Sequence, residues 1–245
     1  MQRYFIPQPF IDGALVITGD DAKHIQKVMR MQEGQTIIVV SENQAYEATI
    51  SAFEGKDVRV EKSSDILRSN ELPKKVTICC GLPKGEKLDL ITQKATELGM
   101  HELLLFEAER SIVKWDAQKG KKKQERLQKI AKEAAEQSHR NIVPAIRDIL
   151  SFKQLLKLKD QYDVLLVADE EDAKQVERTH LPEILKNANE QHSVCIVFGP
   201  EGGLSRNEIQ ALMEHGFQSI SLGPRILRAE TAPLYVLSAI SYEFE

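Results

Sequence analysis

The first seventy residues alternate apolar and polar positions over short stretches broken by turn residues. Ala14–Ile17, Thr36–Val40, Tyr46–Ile50 and Val58–Val60 each read as a strand, because successive strand side chains face opposite ways and β-branched residues suit that surface. Gly34, Asn43 and Gly55 punctuate them. One helix is predicted between the first two strands, from Asp20 to Met31, with Asp20 as its cap and Ile25, Val28 and Met29 on its apolar face. Strands at this spacing predict a small barrel. A polar stretch from Ser63 to Glu71, closed by Pro73, ends the pattern and puts the domain boundary after residue 72.

Beyond Val76 the rhythm changes to strands alternating with helices. Val76–Cys80, Leu103–Phe106, Val164–Ala168 and Val194–Phe198 are continuously apolar, as strands buried on both faces are. Leu88, Ile91, Ala95 and Leu98 share one face of a helix that Gly99 terminates. Leu127, Ile130, Ala131 and Ala134 share a face of another, predicted over Gln124–His139. Ser205-Arg206-Asn207-Glu208 is a capping box that opens a helix ended by Gly216. Ser219–Leu222 is the last predicted strand. Thr231–Phe244 is the last helix, with Thr231 at its cap and Pro233 in its first turn. The alternation specifies an α/β domain with a mostly parallel sheet over residues 73–245, behind a strand-rich domain over residues 1–72.

Composition narrows the class. Hydrophobic residues make up 42% and charged residues 29%, which excludes a mainly disordered chain. Cys79, Cys80 and Cys195 all sit in apolar runs and read as small buried hydrophobes; without a CxxC spacing they do not suggest zinc. The N-terminal MQRYFIPQPF lacks the basic start and apolar core of a secretory signal. No run approaches the roughly 20 apolar residues that span a bilayer, so a cytoplasmic protein with no membrane partner is expected. The net charge of −4 hides an asymmetry, since Arg110–Arg147 carries eleven Lys or Arg against four Asp or Glu. That segment is either a nucleic-acid footprint or a solvated helix face laced by pairs such as Lys129–Glu133 and Lys132–Glu136. The acidic run Asp169–Asp172 reads as a solvated turn.

Two C-terminal segments carry the chemistry. Gly199-Pro200-Glu201-Gly202-Gly203-Leu204 follows a buried strand and precedes the capping box. Ligands of open α/β sheets bind beyond the carboxyl ends of strands, and glycines let a ligand approach the backbone. A tight turn with no ligand has the same composition. The segment is neither a P-loop nor a dinucleotide fingerprint, and the chain has no G-x-S-x-G or H-E-x-x-H. The second segment, Leu222-Gly223-Pro224-Arg225-Ile226-Leu227-Arg228-Ala229-Glu230-Thr231-Ala232, follows the last strand. Its two flanking arginines and glutamate suit a polar ligand with an anionic partner, or a helix cap with surface ion pairs.

Together these two segments resemble the SPOUT superfamily of knotted methyltransferases, and within it the ribosomal small-subunit RNA methyltransferase E family. Further likeness lies in Lys94–Gly99, Arg110-Ser111, Glu133–Ser138 with Arg140, and His24 with Val28-Met29-Arg30 and Gly34. The resemblance covers nearly the whole chain. Met29 departs from the family's usual Leu, a nearly volume-neutral swap.

The resemblance implies a C-terminal domain with a deep trefoil knot, an N-terminal PUA-like β-barrel that helps bind RNA, and a homodimer. It implies S-adenosylmethionine as methyl donor and N3 of a 16S rRNA uridine in the small ribosomal subunit as target. It assigns the donor to Gly199, Glu201, Gly202, Gly203, Leu222, Gly223, Leu227, Ala229, Thr231 and Ala232. Arg228 would stabilise negative charge on the uracil, while Glu230 would accept its proton or simply pair with an arginine. Arg30, Arg110, Lys121, Lys122, Lys123, Arg126 and Arg140 would hold RNA phosphates. Two other functions fit the same features: a non-catalytic RNA-binding assembly factor of the ribosome, and a SPOUT methyltransferase acting on another RNA.

Overall fold

The computed structural model of the chain describes residues 1–169, 181, 184 and 193–245. Of the acidic run Asp169–Asp172, all but Asp169 lies outside the described residues. The described residues fall into two compact units. The first is Met1–Glu71 with Ala135–Ile142, and the second is Leu72–Ala134 with Val143–Glu245.

The first unit is built on a five-stranded sheet in the order β1 (Arg3–Phe5), β3 (Thr36–Ser41), β4 (Gln44–Glu54), β5 (Asp57–Ile66), β2 (Ala14–Ile17). β1 lies parallel to β3 and the other pairs are antiparallel. The inward positions of the alternation, among them Leu15, Ile17, Ile37, Val39, Ile50, Val58 and Val60, make its core with Tyr4 and Ile25. β1 escaped the sequence reading because three residues are too few to show an alternation.

The helix expected over Asp20–Met31 is shorter and irregular. α1 covers Gly19–Lys23 and continues as a single π turn over His24–Val28. Thr18, not Asp20, occupies the cap position, and no side chain caps the end. The wide turn breaks the 3.6-residue period, so Ile25 is buried while Val28 and Met29 are exposed.

The second unit holds a six-stranded sheet in the order β11 (Gln218–Ile220), β9 (Val164–Ala168), β10 (Ser193–Phe198), β6 (Lys75–Gly81), β7 (Glu102–Glu107), β8 (Ala145–Ser151). Every pair is parallel. The central strands are apolar at consecutive positions because both faces are covered. Val76, Ile78, Leu103 and Ile196 face one core and Cys79, Phe106, Val167 and Val197 the other. All three cysteines are buried and unbridged, and burial pushes the thiols of Cys80 and Cys195 up to about 12, with Glu102 adding to the effect on Cys195. β8 was not foreseen because Arg147 and Asp148 interrupt it, as charges do on an edge strand.

Among the described residues, the α-helices of this unit are α2 (Lys87–Glu97), α3 (Ala117–Gln137), the one-turn α4 (Phe152–Leu155), α5 (Arg206–Glu214) and α6 (Thr231–Phe244). α3 starts seven residues before the predicted Gln124, since Ala117–Lys123 has good helix formers but no apolar face to signal them. Its last residues belong to the first unit. In α6, Glu230 takes the cap position and Thr231 is the first helical residue. None of the described helices is long and apolar enough to cross a membrane. A wholly parallel sheet has one consequence for function: the carboxyl ends of β6, β7, β9, β10 and β11 all lie at the same edge, where their loops meet.

Candidate functional site

The loop after β10 is shaped by close backbone approach. A Cβ on Gly199 would lie 2.8 Å from the carbonyl carbon of Gly203 and the amide of Leu204, so the loop folds back on itself only around a bare residue. Gly203 and Gly223 adopt φ of +67° and +99°, a region open to glycine at no steric cost. The expected capping box then anchors the loop to α5. Glu208 accepts from Ser205 N at 2.8 Å and Ser205 Oγ accepts from Glu208 N at 3.2 Å. The other oxygen of Glu208 accepts from Glu109 N at 2.8 Å, which ties the cap to the loop after β7.

A cavity of about 350 Å³ opens between the loops after β10 and β11. Small-molecule sites run from about 300 Å³ upward and combine apolar walls with a few polar groups. Here Phe198, Leu204, Ile209, Leu222, Leu227 and Ala232 supply apolar wall, and Gly202, Gly203 and Gly223 leave backbone bare. Arg110, Arg206, Arg225, Arg228, Lys87, Asp169 and Glu201 supply charge. Arg110 donates from NH1 to the carbonyl of Gly202 at 3.0 Å. Arg206 and Asp169 form a bidentate pair with both contacts at 2.8 Å.

Lys87, in the first turn of α2, reaches both walls. Its Nζ lies 2.9 Å from Oε1 of Glu201 and 3.3 Å from Oε2 of Glu230. The second contact has ion-pair distance but not hydrogen-bond alignment, so Oε2 of Glu230 is buried without a hydrogen bond. Glu201 also accepts from the amide of Lys84 at 3.0 Å. Burial pushes the Glu201 carboxyl up, but the Lys87 hydrogen bond and the amides outweigh it and hold it below the usual carboxylate value. Glu230 is likewise pushed up by burial and brought below its ordinary value by its own backbone amide, Lys87 and Arg228. The hydrogen bond to Glu201 raises Lys87. All three groups are therefore charged at neutral pH.

Most residues expected around the donor line this one cavity: Gly199, Glu201, Gly202, Gly203, Leu222, Gly223, Leu227, Ala229 and Ala232. Thr231 does not line it. Arg228 does, exposed at the rim, and the ion-pair partner of Glu230 is Lys87 from the first turn of α2 rather than an arginine. The residues expected on RNA are divided. Lys122, Lys123 and Arg126 line a shallow basic depression on α3 with Lys119, although Arg126 also pairs with Asp89. Lys121 and Arg30 are exposed. Arg110 sits at the cavity.

Arg140 corrects the sequence reading. Its side chain is 2% exposed. Nε and NH2 both donate to Oε2 of Glu71, while Oε1 accepts from the amides of Asn141 and Ile142. Arg3 donates in turn to the Arg140 carbonyl and to Oδ1 of Asn141. A guanidinium buried against a carboxylate holds its own unit together and is not presented to a phosphate. Sequence shows the charge of such a residue but not its burial.

Lys87 and Arg206 are not among the residues expected at the site, and Asp169, expected in a solvated turn, is instead buried and paired with Arg206. The signal for Lys87 was available: Pro83-Lys84-Gly85-Glu86-Lys87 follows a buried strand, at the end of the sheet where ligands bind.

Known proteins place this architecture. An RNA methyltransferase domain family matches residues 70–241, and an RNA methyltransferase PUA domain family matches residues 17–63. Ribosomal RNA small subunit methyltransferase E of Bacillus subtilis (strain 168) is 49% identical over 254 residues, spanning 100% of this chain and 98% of that protein. The crystal structure of a ribosomal RNA small subunit methyltransferase E from Neisseria gonorrhoeae bound to S-adenosyl methionine superposes with a TM-score of 0.86. It is 27% identical and the match covers 99% of this chain and 97% of that one. A putative methyltransferase from Legionella pneumophila, in complex with the bound cofactor SAM, superposes with a TM-score of 0.85 at 28% identity, over 98% and 96% of the two chains. With a PUA domain ahead of a parallel-sheet methyltransferase domain, and full-length identity of this order, the chain belongs to the ribosomal RNA small subunit methyltransferase E family.

Proposed function

We propose that the cavity between the loops 199–204 and 222–232 binds S-adenosylmethionine, and that the protein methylates N3 of a uridine in 16S rRNA. The observation that carries this reading is the meeting of two glycine-bearing loops, at the carboxyl ends of β10 and β11, the parallel strands on either side of β9, around one cavity of nucleoside size. S-adenosylmethionine supplies an electrophilic methyl group on a cationic sulfonium. An adenine edge needs both donors and acceptors, which bare backbone offers, and its faces suit Leu222, Leu227 and Ala232. The solved relatives with S-adenosylmethionine bound support the same assignment.

The uridine must lose its N3 proton before or during attack, and this places negative charge on the ring. Arg228, at the rim of the cavity, stabilises that charge as an oriented cation. Glu230 is held ionised against Lys87 and below its ordinary value, which makes it a weak base; its role is to pair, and the proton leaves to solvent. Lys119, Lys122 and Lys123 at the basic depression of α3 hold RNA phosphates, as do the exposed Lys121 on the same helix and Arg30 in the first unit.

The protein acts as a homodimer in the cytoplasm, with the knotted chain path of its superfamily. α6 supports the dimer: Val236, Leu237 and Ile240 are buried, but Tyr235 and Tyr242 are exposed, as is Ile226 on the preceding loop. Large exposed apolar side chains in one segment mark an interaction surface.

Isothermal titration with S-adenosylmethionine tests the donor site. The wild type binds, and Gly203→Trp, which forces a bulky side chain into a left-handed position on the cavity wall, abolishes binding. Digestion of 16S rRNA after incubation with donor and protein then yields 3-methyluridine. Absence of binding by a folded wild type would defeat the proposal; a different methylated nucleoside would redirect it to another target.

A further inference from the structure

We propose that Lys87 is a positioning residue that fixes the spacing of the two cavity walls by holding Glu201 and Glu230 together. This rests on the reading of the cavity as the donor site. Glu201 belongs to the loop after β10 and Glu230 to the segment that leads from β11 into α6. These loops are far apart in sequence, and the single ammonium of Lys87 lies 2.9 Å from one carboxylate and 3.3 Å from the other.

The segment that carries Lys87 is itself fitted to the glycine loop. Gly81, the last residue of β6, lies so close to Pro200 that a Cβ there would sit 2.7 Å from the proline Cδ. The amide of Lys84 binds Glu201 at 3.0 Å. The β6–α2 segment therefore grips the loop after β10 at three points, and Lys87 extends the grip to the opposite wall. Without the ammonium, two carboxylates would face each other across a partly buried gap, with side chains 29% and 16% exposed. Like charges brought together with poor solvation repel, and the walls would part.

Lys87 lines the cavity but acts through its two partners. The positively charged donor makes this distinction testable. Were Lys87 merely a cation near the sulfonium, its removal would improve donor binding; as a clamp, its removal weakens binding.

The test uses the full-length protein with Lys87→Met, Lys87→Arg and the triple variant Lys87→Met/Glu201→Gln/Glu230→Gln. Lys87→Met is expected to weaken S-adenosylmethionine binding by about tenfold, the loss of one charged hydrogen bond, and to raise donor KM more than it lowers kcat. Lys87→Arg restores most of the affinity. The triple variant, which removes the facing charges, binds more tightly than Lys87→Met alone, which a simple folding defect would not produce. Hydrogen–deuterium exchange of the free protein supplies a readout that needs no donor: residues 199–204 and 223–232 exchange faster in Lys87→Met, while β6 and β7 do not change. Unchanged exchange in both loops, or donor affinity equal to or above that of the wild type, would overturn the proposal. A wild type that binds no donor but shows the faster loop exchange in Lys87→Met would defeat the donor reading and leave the clamp standing.

Discussion

Two ion-paired clusters in this protein use the same side-chain chemistry to opposite ends. In the first unit, Glu71 takes every contact it can make from Arg140 and the two amides that follow it, while Arg3 closes over the Arg140 carbonyl. In the second unit, Lys87 spans Glu201 and Glu230 beside open space, and leaves one oxygen of Glu230 without a hydrogen bond. The first cluster is buried and both oxygens of its carboxylate are hydrogen-bonded, although Nε of Arg3 has no hydrogen-bond partner among the described residues, so its energy goes into holding 135–142 within its unit. The second is partly exposed and incompletely satisfied, as groups that border a binding cavity tend to be. Charge type does not separate the two; burial and the pairing of the carboxylate oxygens do.

The sharpest way to break this comparison is to remove the buried partner. Arg140→Ala leaves Glu71 partly buried without its cation, a change that costs about 3–5 kcal/mol when an ion pair is broken on one side. Urea denaturation is expected to show a midpoint lowered accordingly. RNA affinity, measured under conditions where the variant is folded, is expected to stay within about twofold of the wild type, since one surface phosphate contact is not being lost. A stable Arg140→Ala variant with strongly weakened RNA binding would return Arg140 to the RNA face.

Arg228→Ala gives the next effect and addresses chemistry instead of stability. Deleting a donor aimed at developing negative charge lowers turnover about 100-fold. Single-turnover methylation at saturating donor and RNA is the measurement, with donor affinity within about threefold of wild type. Glu230→Gln is the control within the same loop. If Glu230 only pairs with Lys87, the variant keeps a pH–rate profile of the same shape as the wild type between pH 5 and 9. If Glu230 accepts the proton, the acid limb of that profile disappears with it.

The same contrast explains what was legible in the sequence. Continuous apolar runs gave β6, β7, β9 and β10 because a strand buried on both faces has no other way to read. The capping box at Ser205–Glu208 was legible because its hydrogen bonds are local. The glycine loops were legible because close backbone approach is a one-residue requirement, as at Gly199. Three kinds of feature were not. The π turn after α1 changes the helical period without a residue type that marks it. The N-terminal half of α3 has no buried face to give it a pattern. Arg140 and Lys87 depend on partners 69 and 114 residues away or more, Glu71 for the one and Glu201 for the other; only the folded chain pairs them.

The smallest predicted effect falls on the basic face of α3, where the comparison is with Arg140 itself. Lys122 and Lys123 border an open depression with Lys119, so they remain available to a polyanion. Neutralising both, Lys122→Ala/Lys123→Ala, leaves folding stability within about 0.5 kcal/mol, as surface substitutions do. RNA affinity falls only a few-fold near physiological salt, but its salt dependence changes in a defined way. Each lost phosphate contact lowers the slope of log affinity against log salt by about 0.7 for a single strand and 0.9 for a duplex. Two contacts therefore lower it by about 1.4 to 1.8. Filter-binding titrations across a salt series measure that slope directly. An unchanged slope would assign the α3 lysines to a solvated helix face, and would require the phosphate contacts to come from Arg30, from the cavity arginines, or from a second copy of the chain.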